Sequence, residues 1–250
     1  APNRLTIDTV AHVGRSAALL RVTDGMYAIA ADGRAYETFG SIGPGHGLTQ
    51  FPEPNGIPTP MPTAPLILLP PSEGKASGGN GAALDLGSIS FPWLNPTRER
   101  MAGALMKLSG RPRVSRKLLG VKGPALDQAN TENASLESSA TMRAIDRYTG
   151  VMYSAIEYQS LDDAARESFA QNVIIMSGLF GAVRPSDMIP AYKLKMGVKL
   201  IRNKTCAAVW KPLISKSFAS EANYGVIWDL LPGEHSAAWD PANVPHEPRF

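Results

Sequence analysis

The chain has 250 residues, of which 44% are hydrophobic, enough for one large domain with a real core, so disorder of the whole chain is excluded. One cysteine, Cys206, excludes an internal disulfide framework, the four histidines have no ligand spacing, and no apolar run approaches a membrane span. Net charge is only +3, and the absence of a signal-peptide pattern with a single thiol predicts a cytoplasmic protein.

Residues 15 to 39 hold short strand-like runs, "AALLRVT", "MYAIAA" and "RAYETF", separated by Asp24-Gly25 and Asp32-Gly33. Asp-Gly between such runs favours tight hairpins, because both central positions tolerate positive φ. A small β-meander is therefore predicted over 1–42, packed on the main body or on a second copy of the chain. Seven prolines between 43 and 65 forbid helix and central strand, and that stretch is predicted to be a linker. The main domain is expected over 66–250.

It opens with "LILLPPSEGK", a buried strand ending at two prolines, with Ser72, Glu73 and Lys75 in the loop beyond. Gly74-Lys75 is not a phosphate loop, since Leu69 stands where the first glycine is needed and Ala76 follows the lysine. "TRERMAGALMKLSG" carries a capping residue, helical spacing and a glycine stop, and a second helix is expected over 114–119. "GVKGPALDQAN" follows, so helix, glycine-bracketed turn and helix resemble a helix-hairpin-helix element, whose backbone amides can hold a phosphate. An ordinary turn between helices is the competing reading. Further helices are expected over 138–147, 161–171 and 205–219, with strands at "NVIIM" (172–176) and "YGVIWDL" (224–230). Alternating helices and strands predict an α/β (mixed α+β) main domain with a central mixed sheet.

Basic charge is segregated. From Arg98 to Lys122 eight cations, among them Arg111, Arg113, Arg116, Lys117 and Lys122, stand against Glu99; from Arg184 to Lys204 six stand against Asp187. Such blocks raise the odds of an anionic partner, the plainer reading being a solvated helix face.

Beyond "NVIIM" come Ser177-Gly178-Leu179-Phe180-Gly181, Arg184-Pro185-Ser186-Asp187, and Tyr192-Lys193-Leu194-Lys195-Met196-Gly197. This order resembles the signature of the YaaA (DUF328, UPF0246) peroxide-stress family. "LILLPPSEGK", "RYTGVMYSAI" with Tyr148, Gly150 and Tyr153, and "YGVIWDLLPGEHSAAWDP" extend the likeness over about 66–241. Residues 1–65 are an addition to the family's pattern, and the basic segment that usually follows the equivalent of Trp239 is shortened or replaced. The resemblance implies a cytoplasmic α/β protein that limits peroxide damage and binds DNA at a basic cleft containing a helix-hairpin-helix-like element; it implies no particular reaction.

Read as chemistry, Arg184 before Pro185 is a directed guanidinium suited to phosphate or carboxylate, with Asp187 to orient it, or else a buried pair closing the loop. Tyr192 and Lys193 suit a base and a phosphate; Tyr192 as a core aromatic is the alternative. Ser177 lacks a nucleophile elbow and reads more readily as a turn cap. Lys75 near Glu73 suits proton transfer, or a surface ion pair.

Two functions are carried forward. In the first, a nucleic-acid binder (DNA or another anionic ligand) uses Ser72, Lys75, Arg111, Arg113, Arg116, Lys117, Lys122, Arg147, Tyr148, Tyr153, Ser177, Arg184 and Lys193. In the second, an enzyme acts on a small anionic or nucleotide-like substrate with Lys75, Arg184, Asp187 and Tyr192. Scattered histidines and a single cysteine argue against a dedicated iron site, leaving only carboxylates such as Asp187, Asp229 and Glu234 as hard ligands, and no cofactor is expected.

Overall fold

A computed structural model describes residues 65–220 and 227–243 and, before them, the backbone of four strands. The chain divides into two compact units, the second comprising Leu66–Ala222 and Ile227–His246. In the first unit β1 (Ile7–His12), β2 (Ala17–Val22), β3 (Gly25–Ala30) and β4 (Ala35–Thr38) pair in sequence order, each antiparallel to the next. The strand-like runs thus form a meander, with β1 as a strand that the sequence reading omits. Asp24, the Asp32-Gly33 turn and the linker over 43–64 lie outside the described residues.

The second unit is built on a four-stranded mixed sheet. Its first strand, β5 (Leu66–Leu69), is followed by a long loop and then by α1 (Asn95–Ser109), α2 (Pro112–Leu119) and α3 (Pro124–Ala134). All three helices carry proline in the first turn, where its missing N–H has no helical acceptor to lose. Gly120 ends α2 in the left-handed region at φ 69°, and Gly123 precedes α3 at φ 58°, so the glycine-bracketed segment is a turn between two helices with positive φ at both ends.

The expected helix over 138–147 is corrected. Met142–Arg143 instead form β6, and only Ala144–Arg147 are helical, as α4. Non-local pairing overrides the local pattern: β6 runs antiparallel to Met188–Ile189, and the Ala144 and Ile145 amides donate to the carbonyls of Asp187 and Pro185. Next come α5 (Val151–Ile156) and α6 (Asp163–Asn172), the latter N-capped by the Asp162 carboxylate on the Ala165 amide.

Helix α6 feeds directly into β7 (Val173–Ser177), every residue of which is buried. A turn at 178–180 returns the chain as β8 (Gly181–Val183), so the signature stretch opens with a hairpin rather than a simple strand-to-loop transition. Gly181 holds φ 78°, and a Cβ there would lie 2.7 Å from the buried Trp210 ring, so glycine meets two demands at once. The short strands β9 (Met188–Ile189), β10 (Lys199–Ile201) and β11 (Lys204–Thr205) precede α7 (Cys206–Ser220) and β12 (Ile227–Asp229); a one-turn helix, α8 (Gly233–Ser236), comes last. Tyr224–Val226 of the expected last strand lie outside the described residues.

Sheet order is β12–β5–β7–β8, with β12, β5 and β7 parallel and β8 antiparallel. Leu66, Leu68, Val173, Ile174, Ile175 and Met176 are fully buried, as uninterrupted apolar strands covered on both faces require. Trp210 and Trp239 are buried core residues.

Candidate functional site

Two adjacent parallel strands, β5 and β7, run out in the same direction, the usual position for a site in such sheets. Past β5 the chain turns through Pro70-Pro71 and presents Ser72 to Lys75; at the end of β7 stands Ser177. Lys75 forms an antiparallel bridge with Tyr148, fixed by the Ala76 amide on Arg147 O at 2.9 Å. Residues directly opposite in such a bridge share a face, which brings Lys75 onto the tyrosine.

Lys75 Nζ lies 4.3 Å from the centroid of the Tyr192 ring and 5.4 Å from that of Tyr148. Beneath it runs a chain of hydroxyls: Tyr148 Oη to Tyr192 Oη at 2.9 Å, and Tyr192 Oη to Ser177 Oγ at 2.8 Å. Ser177 Oγ also accepts from the Phe180 amide, so it does cap the turn, while belonging to the hydroxyl chain. Both tyrosines and Ser177 are buried. Burial pushes the Tyr148 phenol up to about 12 and Tyr192 well above its ordinary range, so the chain is protonated at neutral pH.

Lys75 is half-buried, and of its three ammonium donors one is used among the described residues, on Ser72 O at 3.2 Å. Burial first, then the charge of Lys193, lowers its pKa from 10.5 to about 7; Glu132 and Glu73 oppose the shift. An amine in this state is a nucleophile or base at physiological pH rather than a fixed charge.

Neighbouring cations are engaged. Glu73 Oε1 holds Lys195 at 2.8 Å and Lys193 at 3.3 Å, and the pair keeps the Glu73 carboxyl below its ordinary value. The expected pairing of Lys75 with Glu73 is thus corrected: Lys193 and Lys195 take the carboxylate. Lys193 is further fixed by Asn133, whose side chain receives the Lys193 amide and donates to its carbonyl. Asn133, Lys195 and Glu132 are the neighbours that sequence reasoning missed as site residues; a buried asparagine within a helix is the one signal that marks such a contact.

Other residues expected to bind an anion are committed to the protein itself. Buried Arg147 donates to the carbonyls of Ala76, Gly78, Ala140 and Ile189, and so ties the 76–78 loop to β9. Tyr153 Oη donates to Pro70 O, and Ser72 Oγ accepts from the Thr149 amide and donates to Gly74 O. These bonds shape the loop that carries Lys75.

Arg184 and Asp187 are not brought to Lys75. The Arg184 guanidinium donates to Gln171 O at 2.7 Å and Val173 O at 3.2 Å, at the start of β7, four residues along the strand from Ser177. Asp187 accepts from the Arg184 amide, the Ser90 amide and Ser90 Oγ, so it fastens the loop backbone rather than orienting the guanidinium. The enzymatic set of four therefore divides, with Lys75 and Tyr192 together and Arg184 and Asp187 elsewhere.

Charge on the basic block divides as well. Arg98 is fully buried, with donors on Phe180 O, Ala182 O, Ser90 O and Asn95 Oδ1. By contrast, Arg111, Arg113, Arg116, Lys117 and Lys122 are exposed, and none enters an ion pair among the described residues. Ser115 and Leu119 point α2 inward, which leaves Arg113, Arg116 and Lys117 on its outer side at i, i+3, i+4 spacing. Among the described residues no group of three His, Cys, Asp or Glu side chains is placed to hold a metal ion, and no helix is long and apolar enough to cross a membrane.

Comparison with known proteins gives the context. The family described as "Peroxide stress protein YaaA" matches residues 66–250. A UPF0246 protein of Streptomyces coelicolor is 40% identical over 177 residues, 70% of this chain and 68% of that protein. One from Corynebacterium efficiens is 45% identical over 135 residues (54% of this chain, 52% of that protein), and one from Corynebacterium glutamicum 38% identical over 174 (68% and 67%). The matched part thus spans between about half and two thirds of these relatives.

Proposed function

The chain belongs to the peroxide stress protein YaaA family, and from that premise we propose that it acts in the cytoplasm in defence against peroxide by binding DNA through α2 and the turn that follows it. The observation that carries this reading is the exposed row of Arg111, Arg113, Arg116, Lys117 and Lys122, none of which enters an ion pair among the described residues. Unpaired surface cations at helical spacing are suited to successive phosphates, and each phosphate neutralised releases counterions. The turn bracketed by Gly120 and Gly123, in the helix-hairpin-helix-like position, adds an open stretch of backbone without side chains at those two positions, which a phosphate could approach. Arg184 and Arg147 are left out of this grip, since their guanidinium groups already hold backbone carbonyls.

Fluorescence anisotropy with duplex and single-stranded DNA across a salt series tests the reading. Four or five neutralised phosphates predict a slope of log Kobs against log salt of roughly −4 for duplex. Arg113→Ala combined with Lys117→Ala should make the slope shallower by about 2. Absence of binding at low salt, or a slope unchanged in the double variant, rejects it.

A further inference from the structure

Half-buried Lys75 differs from the buried cations Arg98 and Arg147. Arg98 and Arg147 each spread their donors over several acceptors, as structural guanidinium groups do. Among the described residues Lys75 has one acceptor, Ser72 O, and it stands over two aromatic faces with a buried hydroxyl chain beside it. Its loop is held by Arg147, Ser72, Thr149 and Tyr153, so the amine is placed by a built scaffold.

We propose that Lys75 is a covalent centre that captures aldehydes of sugar phosphates as an iminium, the substrate in damaged DNA being the ring-opened abasic sugar. The identification of DNA rests on the reading above; the aldehyde chemistry rests on the Lys75 site alone. Amine addition needs a neutral nitrogen, and partial desolvation supplies one near pH 7. The lone pair of Nζ attacks the carbonyl carbon, the C–N bond forms as the π pair moves to oxygen, and one proton passes from nitrogen to that oxygen. A further proton lets the hydroxyl leave as water, so amine, aldehyde and one proton become iminium and water. Tyr192, Tyr148 and Ser177 form the hydroxyl chain along which protons can be exchanged with the centre. The protonated iminium is a cation, and the faces of Tyr192 and Tyr148 favour a cation placed over them. Lys193, whose ammonium pairs with Glu73 and whose backbone is fixed by Asn133, is the cation at the edge of the site that would meet the substrate phosphate.

Reductive trapping tests the proposal on the whole chain. The protein is incubated with 2-deoxyribose 5-phosphate or with duplex DNA carrying one abasic site, cyanoborohydride is added, and the adduct is located by peptide mass mapping. One adduct per chain on the Lys75 peptide is expected, at least tenfold above any exposed lysine, rising with pH to a midpoint near 7. Lys75→Met should abolish it, and Tyr192→Phe should slow it while the protein stays folded by circular dichroism. Should Lys75→Met fail to fold, the site selectivity and pH midpoint in the unmodified protein still decide. Labelling of Lys75 by the sugar phosphate but not by abasic DNA upholds the centre and rejects the DNA substrate. Labelling spread over exposed lysines, or none with either probe, overturns the proposal.

Discussion

Two kinds of buried cation occur within one unit, and the contrast between them separates scaffold from chemistry. Arg98 and Arg147 each make four hydrogen bonds to carbonyl oxygens, and the charge persists even where burial brings Arg98 down to about 10. Around Lys75 the same desolvation acts on a compact ammonium with one acceptor, and the proton is given up near neutrality instead. A saturated arginine is a joint between segments. An undersatisfied lysine over aromatic rings is a reactive group held ready.

That contrast is open to direct attack, and the largest expected effect is at the joints. Arg98→Met leaves the carbonyls of Phe180, Ala182 and Ser90 without their donor in a dry interior, and should cost roughly 3–5 kcal/mol in urea unfolding. A cost below about 1 kcal/mol would mean that the guanidinium is dispensable. Gly181→Ala should follow at about 3 kcal/mol, since it combines positive φ with a clash on Trp210.

Smaller losses are expected at the reactive centre. Tyr192→Phe removes one hydroxyl from the chain but leaves Ser177 its bond from the Phe180 amide, so roughly 1–2 kcal/mol should be lost. Lys75→Met should gain stability in acid. The unfolded chain holds the lysine proton up to about pH 10.5 while the folded protein releases it near 7, so the wild type gains stability as pH rises between those values. The advantage of Lys75→Met should be greatest below pH 7 and fade towards pH 10.5; thermal melts of both proteins across that range would show it. A constant difference would sever the lysine from its environment. Smallest of all is Lys117→Ala, expected within about 0.5 kcal/mol of wild type in stability because the side chain is exposed, although DNA affinity should fall measurably.

Local pattern carried much of the fold. The apolar runs at Leu66 and Val173 form buried strands, and the helices beginning at residues 95, 112 and 163 follow helical spacing, although only the last has a side-chain cap, from Asp162, and the capping residue expected for the first does not act as one. Reading failed at 138–143, where the partner strand, β9, lies more than forty residues away in sequence and outweighs helical spacing. It fell short likewise at Gly181, where a positive φ coincides with the close approach of a tryptophan on a later helix.

Residue types together with the family resemblance placed Lys75, Tyr148, Ser177 and Tyr192 among the candidate site residues, and the sequence by itself determined that basic charge gathers between 98 and 122. Only the tertiary structure decided how they divide. Which cation faces water, which meets carbonyls and which loses its proton depends on the distance to acceptors and on the exclusion of solvent, and neither quantity is a property of the residue itself. Arg98 and Arg113 lie in one basic block, and packing buries the first among carbonyls while leaving the second exposed on α2. Arg184 and Tyr192 share one signature stretch, yet the strand between them places the first at the start of β7 and the second at its end.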